Sequence, residues 1–110
     1  MWLIVDDERV LGCDIVVRNA AVARVVLTLM YGKIEGVCFD HDLGPGETGY
    51  DVLCWAIQGG TIPRLVQLVT ANPVGRKQMQ QALVQAGYKP DPEVAFRYWR
   101  AEQPEKARTT

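Results

Sequence analysis

Residues 38–51 read CFDHDLGPGETGYD. The apolar run GVCFD (36–40) ends abruptly at Asp40, and Asp40 and Asp42 flank the only histidine of the chain, His41. Gly44, Pro45 and Gly46 then form a turn-rich loop. In TGYDVLCWAIQGG (48–60), Thr48 is suited to cap a helix. Val52, Leu53, Ala56 and Ile57 repeat at helical spacing, and Gly59-Gly60 supplies the stop. A buried strand, a charged loop and a capped helix in succession make one unit of an α/β fold.

The same grammar extends to both sides. MWLIV (1–5) reads as a buried strand stopped by Asp6 and Asp7, and DIVV (14–17) as a second. Asn19 caps AAVARVVLTLMYG (20–32), where Val22, Val25, Val26 and Leu29 share one helical face; its valines keep a strand in competition there. RLVQLVT (64–70) is a fourth strand. ANPVGRKQMQQALVQAGY (71–88) is a helix with Asn72 as cap and Pro73 at its first position, Val74, Met79, Leu83 and Val84 giving its core side. VAFRYW (94–99) is a fifth strand. This order, β-β-α-β-α-β-α-β, predicts a central, mostly parallel five-stranded sheet covered on both faces, a three-layer α/β sandwich. Only eight residues, DDERVLGC, separate the first two strands, so the first crossover helix is expected to be reduced or absent.

A length of 110 residues suits one domain, here residues 1–100, followed by a flexible tail at 101–110. The net charge of −1 supplies no electrostatic reason to bind nucleic acid. Cys13, Cys38 and Cys54 fit neither a zinc site nor a disulfide framework and read as buried thiols of a reducing, cytoplasmic protein. Trp2, Trp55 and Trp99 are widely spaced and read as core or rim packing. The first residues lack the basic start of a signal peptide, and no apolar run approaches the ~20 residues of a membrane span.

Ligands of parallel α/β sheets bind beyond the carboxyl ends of the strands. There this sequence puts Asp6, Asp7 and Arg9 after the first strand, Asp40, His41 and Asp42 after the third, and Thr70 and Asn72 after the fourth. Four carboxylates on one edge repel unless a hard cation such as Mg²⁺ or Mn²⁺ offsets them, so Asp6, Asp7, Asp40 and Asp42 are the candidate metal ligands. His41 is a candidate acid/base, with a plain polar role at a strand end as the alternative. Thr70, the helix start at Pro73 and Arg76 in its first turn suit a phosphate, although Asn72 also reads simply as a cap.

VDDE after the first strand, an aspartate after the third, TA after the fourth and GYDVL at the next helix resemble the acidic pocket of two-component receiver domains. That resemblance implies a flavodoxin-like, receiver-like fold, Mg²⁺ held by carboxylates and a phosphoacceptor at Asp40. AFRYWR offers only arginines where a receiver has a lysine. VDDER, VVRN, CFDHDLG, TGYDV and TANPVGR are more similar to the receiver-like family proposed to process cyclic phosphates. This closer resemblance implies an acidic metal pocket of Asp6, Asp7, Asp40 and Asp42, with His41, Asn72 and Arg76 handling phosphate. It also implies a setting in bacterial and phage conflict. Val69 stands where that family usually has a histidine.

Two functions of different class follow. One is a metal-dependent phosphodiesterase acting on a phosphate-containing small molecule such as a cyclic nucleotide: Asp40 and His41 are catalytic, and Arg9, Thr70, Asn72 and Arg76 bind phosphate. The other is a non-catalytic module with a vestigial pocket that docks on a protein partner.

Overall fold

A computed structural model describes residues 1–101; of the expected tail, 102–110 lie outside the described residues. The elements are β1 (Trp2–Val5), β2 (Ile15–Val17), α1 (Ala20–Leu29), β3 (Gly36–Phe39), α2 (Gly49–Gly59), β4 (Leu65–Leu68), α3 (Pro73–Gln85), β5 (Lys89–Pro90) and β6 (Arg97–Trp99). They build one α/β unit with a six-stranded sheet of order β2-β1-β3-β4-β6-β5. The mostly parallel α/β architecture is borne out, and β1 does connect to β2 without a helix.

The sheet departs from the expected five strands at its last edge. β2, β1, β3 and β4 are parallel, but β6 runs antiparallel to both β4 and β5. The reversal is local chemistry. Asp91 Oδ1 accepts the amides of Glu93 and Val94 at 2.7 and 3.0 Å, bending the chain just after Pro90. The chain then returns beside β4, so β6 occupies only the last half of the expected 94–99 strand. β5 is two residues long, too short to carry a periodic pattern, and its proline is tolerated at a sheet edge.

All three crossovers step in the same direction along the sheet, and right-handed connections place their helices on one face. Accordingly α1 packs on α2 and α2 on α3. Their buried residues meet Leu3, Val5, Val37, Phe39, Val66 and Leu68 in one core. Among the described residues no helix covers the other face. The expected third layer is replaced there by side chains such as Trp2, with the Arg97 guanidinium 4.9 Å from its ring centroid. Ile4 and Cys38 are nonetheless buried on that side. Burial above all, then the neighbouring Cys13 thiol, pushes the Cys38 thiol up to about 12. Cys13 and Cys54 are only half-buried, and all three cysteines are free.

α1 buries a different face from the one the pattern suggests, and α3 buries Met79 and Leu83 as read but not the two valines. α1 turns Ala20, Ala23 and Leu27 inward and leaves Val22, Val25 and Leu29 exposed, the last by 75%. α3 buries Gly75, Met79 and Leu83 and exposes Val74 and Val84. α2 behaves as read, with Val52, Leu53 and Ala56 in the core. The caps hold: Asn19, Thr48 and Asn72 each accept an amide of the turn they open, and Asp51 completes a capping box with Thr48. No helix among the described residues is long and apolar enough to cross a membrane.

Candidate metal and phosphate site

Three chain segments reach one edge of the sheet in register because the ladder continues past the strands. Asp6 N–H donates to Val17 O at 3.1 Å, Asp40 N–H to Val5 O at 2.9 Å and Val69 N–H to Phe39 O at 3.0 Å. Strand alternation then carries the side chains of Asp6 and Asp40 to the same side. Both residues are buried, as is Thr70, while Asp7 is exposed. Carboxylate oxygens of Asp6, Asp7 and Asp40 all lie within 4.8 Å of one another.

Asp6 is also the pivot of the β1–β2 loop. Its Oδ1 accepts the amides of Glu8 and Arg9 at 2.8 and 3.0 Å. Its Oδ2 accepts Arg9 Nη1 at 2.9 Å, and the same nitrogen lies 3.6 Å from Asp40 Oδ2. Arg9, read as a phosphate ligand, thus lies between two metal-ligand candidates. Arg18 locks the loop from β2, donating to the carbonyls of Asp6 and Arg9 at 3.2 and 2.9 Å. The VVRN motif contained Arg18, but only the folded loop reveals its two acceptors.

The two buried aspartates respond oppositely to this setting. Burial raises the Asp6 carboxyl, but the amides of Arg9 and Glu8 and the Arg9 guanidinium outweigh it and hold it below 3.8. At Asp40, burial and then the Asp6 charge push the carboxyl above 3.8; the Thr70 hydroxyl, the Asp42 amide and Arg9 only partly offset them.

Asp42 does not join the three converging carboxylates. It is exposed, and its Oδ1 lies 3.0 Å from His41 Nδ1. The chain turns after Asp40, so strand alternation no longer governs it. His41 itself is largely covered, its ring seated on α3. A Cβ at Gly75 would lie 2.4 Å from the ring Cγ, so only glycine leaves room for this imidazole. Gly49 clamps the same turn from α2: its N–H donates to His41 O at 2.7 Å, and a Cβ there would meet Asp40 O at 1.8 Å. Neither glycine was read as a site residue. A lone glycine in a first helical turn signals close packing, but not what packs.

Thr70 Oγ1 accepts the Asn72 amide at 3.0 Å. Asn72 Oδ1 caps α3 through the amides of Val74 and Gly75. Arg76 Nη1 donates to Thr70 O at 3.1 Å, and its guanidinium carbon lies 4.5 Å from the centroid of the Phe96 ring. Asn72 and Arg76 are therefore at the expected edge, engaged with backbone and with an aromatic ring.

The donor set suits a hard divalent cation. Three carboxylate oxygens this close together could hold such a cation between them, since hard divalent ions take oxygen ligands from a few carboxylates. A family model described as the cyclic-phosphate processing receiver domain matches residues 1–85, which carry every candidate site residue. Comparison with curated proteins and with solved structures returned no match.

Proposed function

Because the chain belongs to the cyclic-phosphate processing receiver family, we propose that its strand-end pocket binds a divalent cation and, with it, a cyclic phosphate that it opens by hydrolysis. The convergence of Asp6, Asp7 and Asp40 beside a seated histidine supports this reading above all. Asp6, Asp7 and Asp40 would hold Mg²⁺ or Mn²⁺. A cation bound there supplies Lewis-acid polarisation of a phosphoryl oxygen.

The remaining roles fall to the chain itself. A proton on His41 Nδ1 donated to Asp42 leaves Nε2 free to exchange a proton with the ester oxygen. Thr70 and the start of α3 face the phosphate. Arg9 has two stations: paired with Asp6 and Asp40 when they lack a cation, and swung toward phosphate when they hold one. Asp42 keeps a positioning role on His41 rather than a place among the metal ligands. The ligand is a small phosphate-containing molecule, and the compartment is the cytoplasm.

Calorimetric titration of Mn²⁺ into wild type, Asp40→Asn and Arg9→Gln tests the pocket. Wild type binds, Asp40→Asn loses at least about tenfold, a loss of 1.4 kcal/mol, and Arg9→Gln gains affinity because no guanidinium competes. Incubation with 2′,3′- and 3′,5′-cyclic nucleotides, followed by chromatography, then separates turnover from sequestration. No Mn²⁺ binding by wild type sinks the reading and leaves a protein-docking module with a vestigial pocket.

A further inference from the structure

Phe96 is anomalous on three counts. Its backbone sits at φ 60°, a left-handed conformation that strains a bulky side chain. The residue is 44% exposed, so burial does not offset that strain. It also lies outside the residues matched by the family, in the segment that reverses direction to enter β6. Backbone strain of this kind collects at functional sites.

The antiparallel return of β6 determines where the ring ends up. Leu68 N–H donates to Phe96 O at 2.9 Å, which pins Phe96 beside the carboxyl end of β4, two residues before Thr70. A parallel last strand would have brought its opposite end to this edge. Arg76 covers part of the ring, with its guanidinium carbon 4.5 Å from the centroid, and at the same time donates to Thr70 O. The Thr70 hydroxyl in turn lies close enough to Asp40 to lower its carboxyl. An exposed aromatic ring is thus linked to the acidic pocket through Arg76 and Thr70.

We infer that Phe96, braced by Arg76, is a stacking platform for the base of a nucleotide whose cyclic phosphate occupies the Asp6–Asp7–Asp40 pocket. This rests on the cyclic-phosphate reading above and narrows its ligand to nucleobase-bearing cyclic phosphates. An aromatic ring beside a guanidinium offers a flat, polarisable surface that suits any purine or pyrimidine face. It selects for a base while leaving its hydrogen-bonding edge unread.

The test compares adenosine 2′,3′-cyclic phosphate with the base-free methyl riboside 2′,3′-cyclic phosphate, in saturating Mn²⁺. Kd is measured, or KM where the ligand turns over. Wild type prefers the nucleotide by about tenfold or more, the usual scale of one base stacked on an aromatic ring. Phe96→Gly, which removes the ring and relieves the backbone, brings the ratio near one, and Phe96→Trp retains it. Thermal melts confirm that both variants fold. Equal affinity of wild type for the two ligands overturns the platform alone, as does a Phe96→Gly variant that keeps the preference. Failure of both ligands to bind a Mn²⁺-loaded wild type overturns the cyclic-phosphate reading and the platform with it.

Discussion

Asp6 and Asp40 share one pocket yet contribute to stability with opposite sign. The Asp40 carboxyl is raised in the folded chain, so its favourable contribution is full below its unfolded value near 3.8 and is lost as pH rises through the folded value. At neutral pH its charge therefore destabilises the fold. The Asp6 carboxyl is lowered, so its contribution is present above 3.8 and lost as pH falls through the folded value. In chelator at pH 7, Asp40→Asn is expected to melt higher than wild type, with the gap closing toward pH 4. Asp6→Asn is expected to melt lower, by about 1–3 kcal/mol of stability, because a buried acceptor of charged and amide donors is lost. Calorimetric melts across pH 4–7 check both; an Asp40→Asn variant less stable than wild type at pH 7 would contradict this account.

At the scale of the element, the site depends on helix starts as much as on strand ends. α2 and α3 each bring a glycine against the Asp40–His41 turn, and each caps its own first turn with Thr48 or Asn72. The caps were legible, because Thr and Asn before an apolar periodic run carry their mechanism in their side chains. The glycines were not, since a missing side chain says nothing about what fills its place. Gly75→Ala is expected to cost about 1–3 kcal/mol through overpacking and to drive the His41 ring off α3. His41 is the only histidine, so its ring protons form an isolated NMR signal. A shifted signal with a lowered melting point is the expected pair, and an unmoved signal rules out the seat. The inward faces of α1 and α3 were likewise misjudged in part, because a helical row of valines reads as core while the rotation of the helix about its axis is set only by tertiary packing.

Across the whole molecule, stability is expected to grade along the sheet. β1, β3 and β4 each have neighbours on both sides and supply Leu3, Val5, Val37, Phe39, Val66 and Leu68 to the core. β5 is a two-residue edge strand, and the three-residue β6 pairs with it on one side and with β4 on the other. Hydrogen exchange should be slowest at amides of β1, β3 and β4, and faster at the β5–β6 hairpin by several orders of magnitude, the spread between local opening and global unfolding. Equal protection in both regions would show that the hairpin folds with the core as one unit.

Alternating apolar runs and caps were enough to establish an α/β chain, its β1–β2 connection without a helix and the strand-end positions of Asp6, Asp7, Asp40, His41 and Thr70. Those properties are local, governed by side-chain type and by periods of a few residues. The direction of β6, the single helical layer, the Arg9 bridge and the position of Phe96 were decided only in three dimensions. Each depends on which distant segments become neighbours, and chain reversal and packing distance leave no period in the sequence.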